Sequence, residues 1–223
     1  MKCLLIGPNG YVSRNIVNLY QDIQFSGFTK NMKIDSLISL VKENDCIIHT
    51  ASKQRLNHPG DDFESNFILT KYIVDNCNYK RLIYISSIHA NLDSDFGRVK
   101  KREEDYIKSN SNNYQILRLP HTFGLFGKPN YNSVFNTFIY AISNELDINI
   151  NTSDKVFNLL PISTINNYID FTDKCSLVDD FKTVPKTLIH FVNDVYDVKY
   201  NNSPINCSYK KNILSALNYY KND

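Results

Sequence analysis

The sequence has little of several residue types that mark specialised proteins. It contains no tryptophan and only seven glycines, seven prolines, five cysteines and two methionines among 223 residues. The apolar runs, such as LIYI at 82–85 and CIIH at 46–49, are far shorter than the roughly 20 residues that span a bilayer. The cysteines are odd in number and lack CxxC or Cys/His spacing, which argues against disulfides and zinc. These absences predict a cytoplasmic protein with no metal site and no membrane segment.

Strong charge and a secretory leader are missing as well. The net charge is only +2 at pH 7 and the lysines are dispersed, so no surface for nucleic acid is predicted. The opening segment MKCLLI ends at Gly7, so its apolar run is too short for the hydrophobic core of a signal peptide. With 42% hydrophobic and 22% charged residues the chain can bury a core, and its length suits one domain.

Short apolar runs and helical patterns alternate over the first 120 or so residues. The predicted strands cover 2–6, 22–28, 45–50, 81–86 and 114–119. The predicted helices cover 10–21, about 37–41, 62–77 and about 95–109. This alternation predicts βαβ units with right-handed crossovers, and therefore an α/β fold of the doubly wound Rossmann type with a mostly parallel sheet.

The pattern is less regular after residue 120. The predicted helices there cover 132–145, 165–181 and 209–221, and the predicted strands lie near 147–150, 156–160 and 187–192. We expect a single Rossmann-type domain over 1–223, with a small ligand-covering lobe formed mainly by about 120–223.

A glycine-containing segment, GPNGYVS at 7–13, connects the first strand to the first helix. Glycines in this position let the backbone turn tightly and approach a pyrophosphate, whose charge meets the helix N-terminus. The third glycine of a GxxGxxG pattern is replaced by Ser13, which is small enough for close helix–strand packing. The position of the segment favours a dinucleotide site, and an ordinary strand–turn–helix connection is the alternative.

The choice of cofactor depends on the end of the second strand, where an acid would hold a ribose 2′-hydroxyl. The stretch GFTK at 27–30 has no acid. Arg14 and Lys30 could instead bind a 2′-phosphate, which favours NADP(H) over NAD(H). Two solvated surface cations are the alternative interpretation.

Two further segments carry residue types suited to catalysis. Ser87 stands at the end of the fourth strand, where a parallel sheet opens its ligand crevice, although strand-end serines also satisfy local backbone groups. Phe96 and Lys100 are one helical turn apart. This spacing suits a phenol followed by a lysine whose ammonium lowers the phenol pKa and holds the nicotinamide ribose. Phe96 keeps the ring and lacks the hydroxyl.

The order of GPNGYVS, DCIIHTAS, YISS, FxxxK and LRLPHTFG resembles the extended short-chain dehydrogenase/reductase family, in its sugar-nucleotide branch. SSIHA and the block KPNYNSVFNTFIYAISNELDINI at 128–150 are similar to the reductase domains of bifunctional capsule-assembly enzymes of UDP-N-acetyl-L-fucosamine biosynthesis. The resemblance covers most of 1–170. It implies NADPH-dependent reduction of a UDP-linked 4-keto-6-deoxy sugar for surface polysaccharide, by a homodimer packed through two helices per subunit.

The resemblance also assigns roles to residues. The catalytic positions are Ser87, Phe96 in place of tyrosine, and Lys100. The cofactor positions are Gly7, Asn9, Gly10, Tyr11, Val12, Thr50, Ala51, Ser52, Lys100, Leu119, Pro120 and His121. The positions near the sugar nucleotide are Ser87, Ile88, His89, His121, Asn130, Tyr131, Asn132 and Ser133.

Departures from the family pattern leave more than one function open. Without the tyrosine, the chain is expected to be a reductase or epimerase of reduced activity. His89 or His121 could replace the proton donor, although each is expected to be a partly exposed polar residue. The alternatives are a non-catalytic module that binds a nucleotide or sugar nucleotide, and a phenylalanine engineered to trap a complex. The family's cupin domain has no room in 223 residues, so we expect its activity to be absent. His49 is expected in the core, and the run from Glu103 to Asp105 on a solvated helix face.

Overall fold

The computed structural model describes residues 1–56, 62–131, 133–150, 154–201 and 204–221, which form two compact units. The first unit comprises Met1–Ser13, Tyr20–Leu119 and Tyr168–Asp179. The second comprises Arg14–Leu19, Pro120–Asn167 and Asp180–Asp223. No helix in these described ranges is long and apolar enough to cross a membrane.

The strands and helices alternate through the first half of the chain, as their bounds show. The strands are β1 Lys2–Ile6, β2 Gln24–Phe28, β3 Cys46–His49, β4 Leu82–Ser87, β5 Tyr114–Leu119, β6 His121–Phe123, β7 Phe157–Pro161, β8 Ser176–Val178 and β9 Val184–Lys186. The helices are α1 Tyr11–Leu19, α2 Ser36–Lys42, α3 Glu64–Asn76, α4 Asp95–Asn110, α5 Val134–Ser143, α6 Leu188–Tyr200 and α7 Ser208–Lys221. Short 3₁₀ helices cover Ile88–Asn91 and Ile162–Asn167.

The first unit contains a six-stranded sheet in the order β2-β1-β3-β4-β5-β8, in which every neighbouring pair is parallel. Its central strands are almost continuously buried, as expected for a parallel sheet flanked by helices. Leu4, Ile47, Tyr84 and Ile116 lie in one apolar cluster with side chains of α2, α3 and α4. The prediction of a Rossmann-type α/β fold with a mostly parallel sheet is confirmed.

The second unit has a small sheet in the order β6-β7-β9, with β6 parallel and β9 antiparallel to β7. Helices α5, α6 and α7 supply its apolar core around the fully buried rings of Phe123, Phe135 and Phe191. This core is built from aromatic edge-to-face contacts, with the rings of Phe135 and Phe191 centred 5.0 Å apart.

Three element predictions in the last third of the chain are wrong. The run at 187–192 begins helix α6 rather than a strand, because Thr187 caps the His190 amide and the apolar side chains recur at helical spacing. Residues 165–181 do not form the predicted helix: a short 3₁₀ helix ends at Asn167, and Asp170 then binds the amide and hydroxyl of Thr172 in a local turn that competes with helix. Residues 147–150 alternate in polarity and place two isoleucines against the core, yet they form no strand.

The expectation of a solvated face at 103–105 is also wrong for its first two residues. Glu103 and Glu104 are fully buried, and only Asp105 is exposed. Glu104 accepts hydrogen bonds from the Ser86 hydroxyl at 2.6 Å and from the Arg118 Nη2 at 2.6 Å. A buried carboxylate is tolerated here because polar side chains of β4 and β5 meet it.

Candidate functional site

The glycine segment forms a tight turn between β1 and α1. Gly7 has a positive φ of +87°, and a Cβ at this position would lie 3.0 Å from the Cβ of Ala51. The Gly10 amide donates to the Gly7 carbonyl, and α1 begins at the next residue. Helix α1 thus starts directly from the turn, and amides in its first turn can meet an anion.

The segment after β3 lies against this turn. Thr50 donates its hydroxyl hydrogen bond to the Ile6 carbonyl at 3.0 Å, and the Ala51 amide donates to the same carbonyl at 2.8 Å. Ser13, in the place of a third glycine, is fully buried with its hydroxyl 2.7 Å from that of Thr50. The Ser52 hydroxyl is buried and has no hydrogen-bond partner within the described residues. The structure therefore brings the predicted loop residues and residues 50–52 together, in an arrangement that fits a pyrophosphate.

The two predicted cofactor-selecting cations have different surroundings. Lys30 is exposed just after β2, whose last residue is the buried Phe28. Arg14 is also exposed and belongs to the second unit, where its guanidinium lies 4.3 Å from the centre of the Phe126 ring.

The end of β4, the 3₁₀ helix after it and the start of α4 carry four predicted site residues. Ser87 is half-buried and its hydroxyl accepts from the His89 amide at 3.2 Å, which opens the 3₁₀ helix containing Ile88 and His89. Phe96 is half-buried, with its ring centred 5.9 Å from that of His89 and 5.4 Å from that of Phe63. A Cβ at Gly97 would collide with the carbonyls of His89 and Leu92, so this glycine permits the close approach.

Lys100 points into the first unit rather than toward solvent. It is 2% exposed, and its Nζ donates to the Tyr84 hydroxyl at 2.7 Å and lies 3.0 Å from Glu103 Oε2. The same nitrogen is 5.8 Å from the centre of the Phe96 ring. Its nearest polar partners are thus side chains of β4 and of its own helix.

The network continues from Glu103 to β3. The Thr70 hydroxyl donates to Glu103 Oε1 at 2.6 Å, and His49 Nε2 lies 3.0 Å from that hydroxyl. Burial opposes the charge on Glu103, but the Lys100 ammonium and the hydrogen bonds keep its pKa below the ordinary value. Burial raises the pKa of Tyr84 well above its usual value and lowers that of His49 to about 4. The Glu103 carboxylate is therefore charged, and the Tyr84 phenol and the His49 imidazole near it are neutral.

Sequence reasoning missed Tyr84 and Glu103 as neighbours of Lys100, and Thr70 as a neighbour of Glu103. The spacing of Lys100 and Glu103, three residues apart on one helix, was the available signal for an ion pair. Neither Tyr84 nor Thr70 could be connected to it without the sheet register.

The remaining predicted residues lie at the end of β5 and in the second unit. Leu119 ends β5, and Pro120 precedes His121, whose ring is centred 5.1 Å from that of Phe157. In the second unit the Asn130 amide donates to the Thr137 hydroxyl, the Ser133 hydroxyl donates to the Thr122 carbonyl, and Tyr131 is exposed. Asn132 lies outside the described residues. In the described part of the chain no group of side chains could hold a metal ion.

The depressed pKa of His49 predicts a pH-dependent stability. Unfolding returns this imidazole from about 4 to its ordinary value of 6.5, so its contribution is present above that value and is lost as the pH falls toward 4. We expect the native chain to lose about 2 kcal/mol more than His49→Gln between pH 7 and pH 5 in urea unfolding. The exposed His190→Gln should keep the native slope, and equal losses in native and His49→Gln would contradict the assignment.

No family model matches the chain, but one curated relative does. UDP-2-acetamido-2,6-beta-L-arabino-hexul-4-ose reductase of Pseudomonas aeruginosa is 30% identical over 176 residues, covering 74% of this chain and 47% of the relative. The chain thus spans about half the length of the relative it matches.

Solved structures share the fold. Capsular polysaccharide assembling protein CapF from Staphylococcus aureus is 23% identical with a TM-score of 0.77, and the match covers 99% of this chain and 66% of CapF. UDP-glucose 4-epimerase from Thermus thermophilus, solved with NAD, is 12% identical with a TM-score of 0.78 and 99% of each chain covered. The reductase match and this common fold identify the chain as a member of the extended short-chain dehydrogenase/reductase family, epimerase/reductase-like in type.

Proposed function

We propose that the chain binds a nicotinamide dinucleotide at the glycine turn and acts on a sugar nucleotide as a reductase or epimerase-like protein. The observation that carries the proposal is the turn from Gly7 to Gly10, packed on Ala51 at the carboxyl end of a parallel sheet. A relative named as a UDP-sugar reductase supports the substrate class. A bound nicotinamide would supply or accept the hydride.

The residues that would hold the dinucleotide surround this turn. Gly7, Gly10 and the backbone at 9–12 would meet the pyrophosphate, and Thr50, Ala51 and Ser52 would lie beneath it. The end of β2 offers the exposed Lys30 and no acid, which supports NADP(H) over NAD(H). Arg14 is a second candidate for the 2′-phosphate, in exchange for its contact with Phe126.

The reacting groups would come from the end of β4 and the start of α4. Ser87 can hydrogen-bond a substrate oxygen, but Phe96 can neither donate nor accept a proton. A positioned acid contributes about 10²–10⁴-fold to such a reaction, so we propose a reaction of reduced rate. His89, which contacts Phe96, or His121 would be the substitute acid.

Substrate contacts are assigned to two sets of residues. In the first unit they are Ser87, Ile88 and His89. From 120 onward, where we propose a small substrate lobe, they are His121, Asn130, Tyr131, Asn132 and Ser133. We further propose that the substrate is a UDP-linked 4-keto-6-deoxy sugar and that the reaction serves surface polysaccharide biosynthesis. The chain would act as a homodimer in the cytoplasm.

A second function, a module that binds the nucleotide or sugar nucleotide without turnover, is favoured by one observation. Phe96 is packed between the rings of Phe63 and His89, so a proton donor is replaced by an apolar contact. Binding and turnover must therefore be measured separately.

Dinucleotide binding is tested by titration calorimetry with NADPH and NADH. NADPH should bind more tightly than NADH. Gly10→Val should weaken both by about tenfold or more, because branched atoms beside the turn would displace the pyrophosphate from backbone amides. Val17→Ala, at an exposed position of the same helix, is the matched control. Absence of binding of either cofactor at millimolar concentration would defeat the dinucleotide site.

Phe96→Tyr separates the enzyme from the binding module. The added hydroxyl supplies the missing proton donor, so NADPH oxidation with a UDP-4-keto-6-deoxy sugar should rise by about 10²-fold or more over the native rate. If a histidine is the substitute acid, the native chain is already active and His89→Ala or His121→Ala abolishes turnover. Inactivity of the native chain and all three variants, with NADPH binding intact, would leave the binding module.

A further inference from the structure

The Lys100 ammonium cannot bind a ligand without breaking the hydrogen bond and the ion pair that it makes inside the protein. The Lys100 side chain is 2% exposed. Its Nζ donates a hydrogen bond to the Tyr84 hydroxyl at 2.7 Å and lies 3.0 Å from the Glu103 carboxylate. Thr70 fixes the other oxygen of the same carboxylate, and His49 fixes Thr70. Three side chains, from β3, α3 and β4, thus enclose the pair on α4.

Burial stabilises the pairing of Lys100 with Glu103, because separating the two would leave a buried carboxylate without a cation. A carboxylate at 0% exposure is stable only while a cation neutralises it, and removing one partner of a buried pair leaves an uncompensated charge. If Lys100 moved out to a ligand, the Glu103 carboxylate would be left buried and unpaired, which would destabilise the folded chain. The neighbouring pair of Lys101 and Asp105 is about half exposed, and water would replace its partner readily.

We propose that Glu103 is a positioning residue that holds Lys100 away from the cofactor, so that NADP(H) is bound through its adenosine diphosphate half rather than through its nicotinamide ribose. The inference rests on the proposed dinucleotide site. It makes the glycine turn the source of affinity and leaves the nicotinamide end without a cation from α4. Loss of the phenol at Phe96 and withdrawal of Lys100 then occur in the same helix.

Calorimetric titration with NADPH and with 2′-phosphoadenosine 5′-diphosphate, which lacks the nicotinamide riboside, tests the proposal. Glu103→Gln keeps an oxygen for Thr70 but removes the charge that retains Lys100. NADPH should then bind severalfold more tightly, with no change for the fragment, and adding Lys100→Met should cancel the gain. If Glu103→Gln gives no gain, or if Lys100→Met alone weakens NADPH binding severalfold, the proposal is overturned.

Unfolding midpoints test the pair independently of any ligand. Lys100→Met and Glu103→Leu should each lower the urea midpoint, and the double variant should recover most of the loss because no charge remains buried. Lys101→Met and Asp105→Leu, in the exposed pair, should leave the midpoint nearly unchanged. A native chain that binds neither ligand would refute the proposed function and, with it, the inferred binding mode, whereas a double variant that loses the sum of both single effects would refute the positioning role alone.

Discussion

Helix α4 is held against the parallel sheet by charges that are removed from water. Lys100 with Glu103, and Glu104 with Arg118, form two adjacent pairs whose members are between 0% and 7% exposed. Their partners on β4, Tyr84 and Ser86, are two residues apart and so point to the same face of the strand. Such pairs tolerate little displacement, because each shift would leave a charge unpaired in a low-dielectric interior. The orientation of α4, and with it the position of Phe96, follows from this constraint.

The two ends of the proposed cofactor site differ in how much of the family pattern they keep. At the pyrophosphate end the turn at Gly7 is intact, and Ser13 replaces a glycine at no evident cost because its hydroxyl is bonded to Thr50. At the nicotinamide end the phenol is absent and the lysine is paired internally. A chain with this asymmetry is better suited to holding a dinucleotide than to rapid proton transfer. The same site is therefore compatible with both proposed functions, a reductase of reduced rate and a binding module without turnover.

Local sequence pattern was sufficient for strands β1 to β5 of the first unit, since buried parallel strands such as Lys2–Ile6 are continuous apolar runs that end at glycine or at polar residues. It missed β8, which lies within the predicted helix at 165–181. It also predicted that Ser87 stands at the end of the fourth strand, where β4 ends. It failed at 187–192, where a short segment with four apolar residues fits a strand or the first turns of a helix equally well. It failed again at Glu103 and Glu104, because a run of charged residues on a helix has the same sequence pattern whether it faces solvent or polar side chains of a sheet. Only the register of β4 and β5 shows which case applies.

The central claim is that the folded chain encloses the Lys100 ammonium. Acetylation of lysines in the folded protein, followed by peptide mass spectrometry, measures this enclosure directly, with the more exposed Lys101 and Lys108 of the same helix as internal references. Lys100 should react about tenfold more slowly than either reference or slower still, and the difference should vanish in denaturant. Acetylation of Lys100 at the rate of Lys101 in the folded chain would contradict the account.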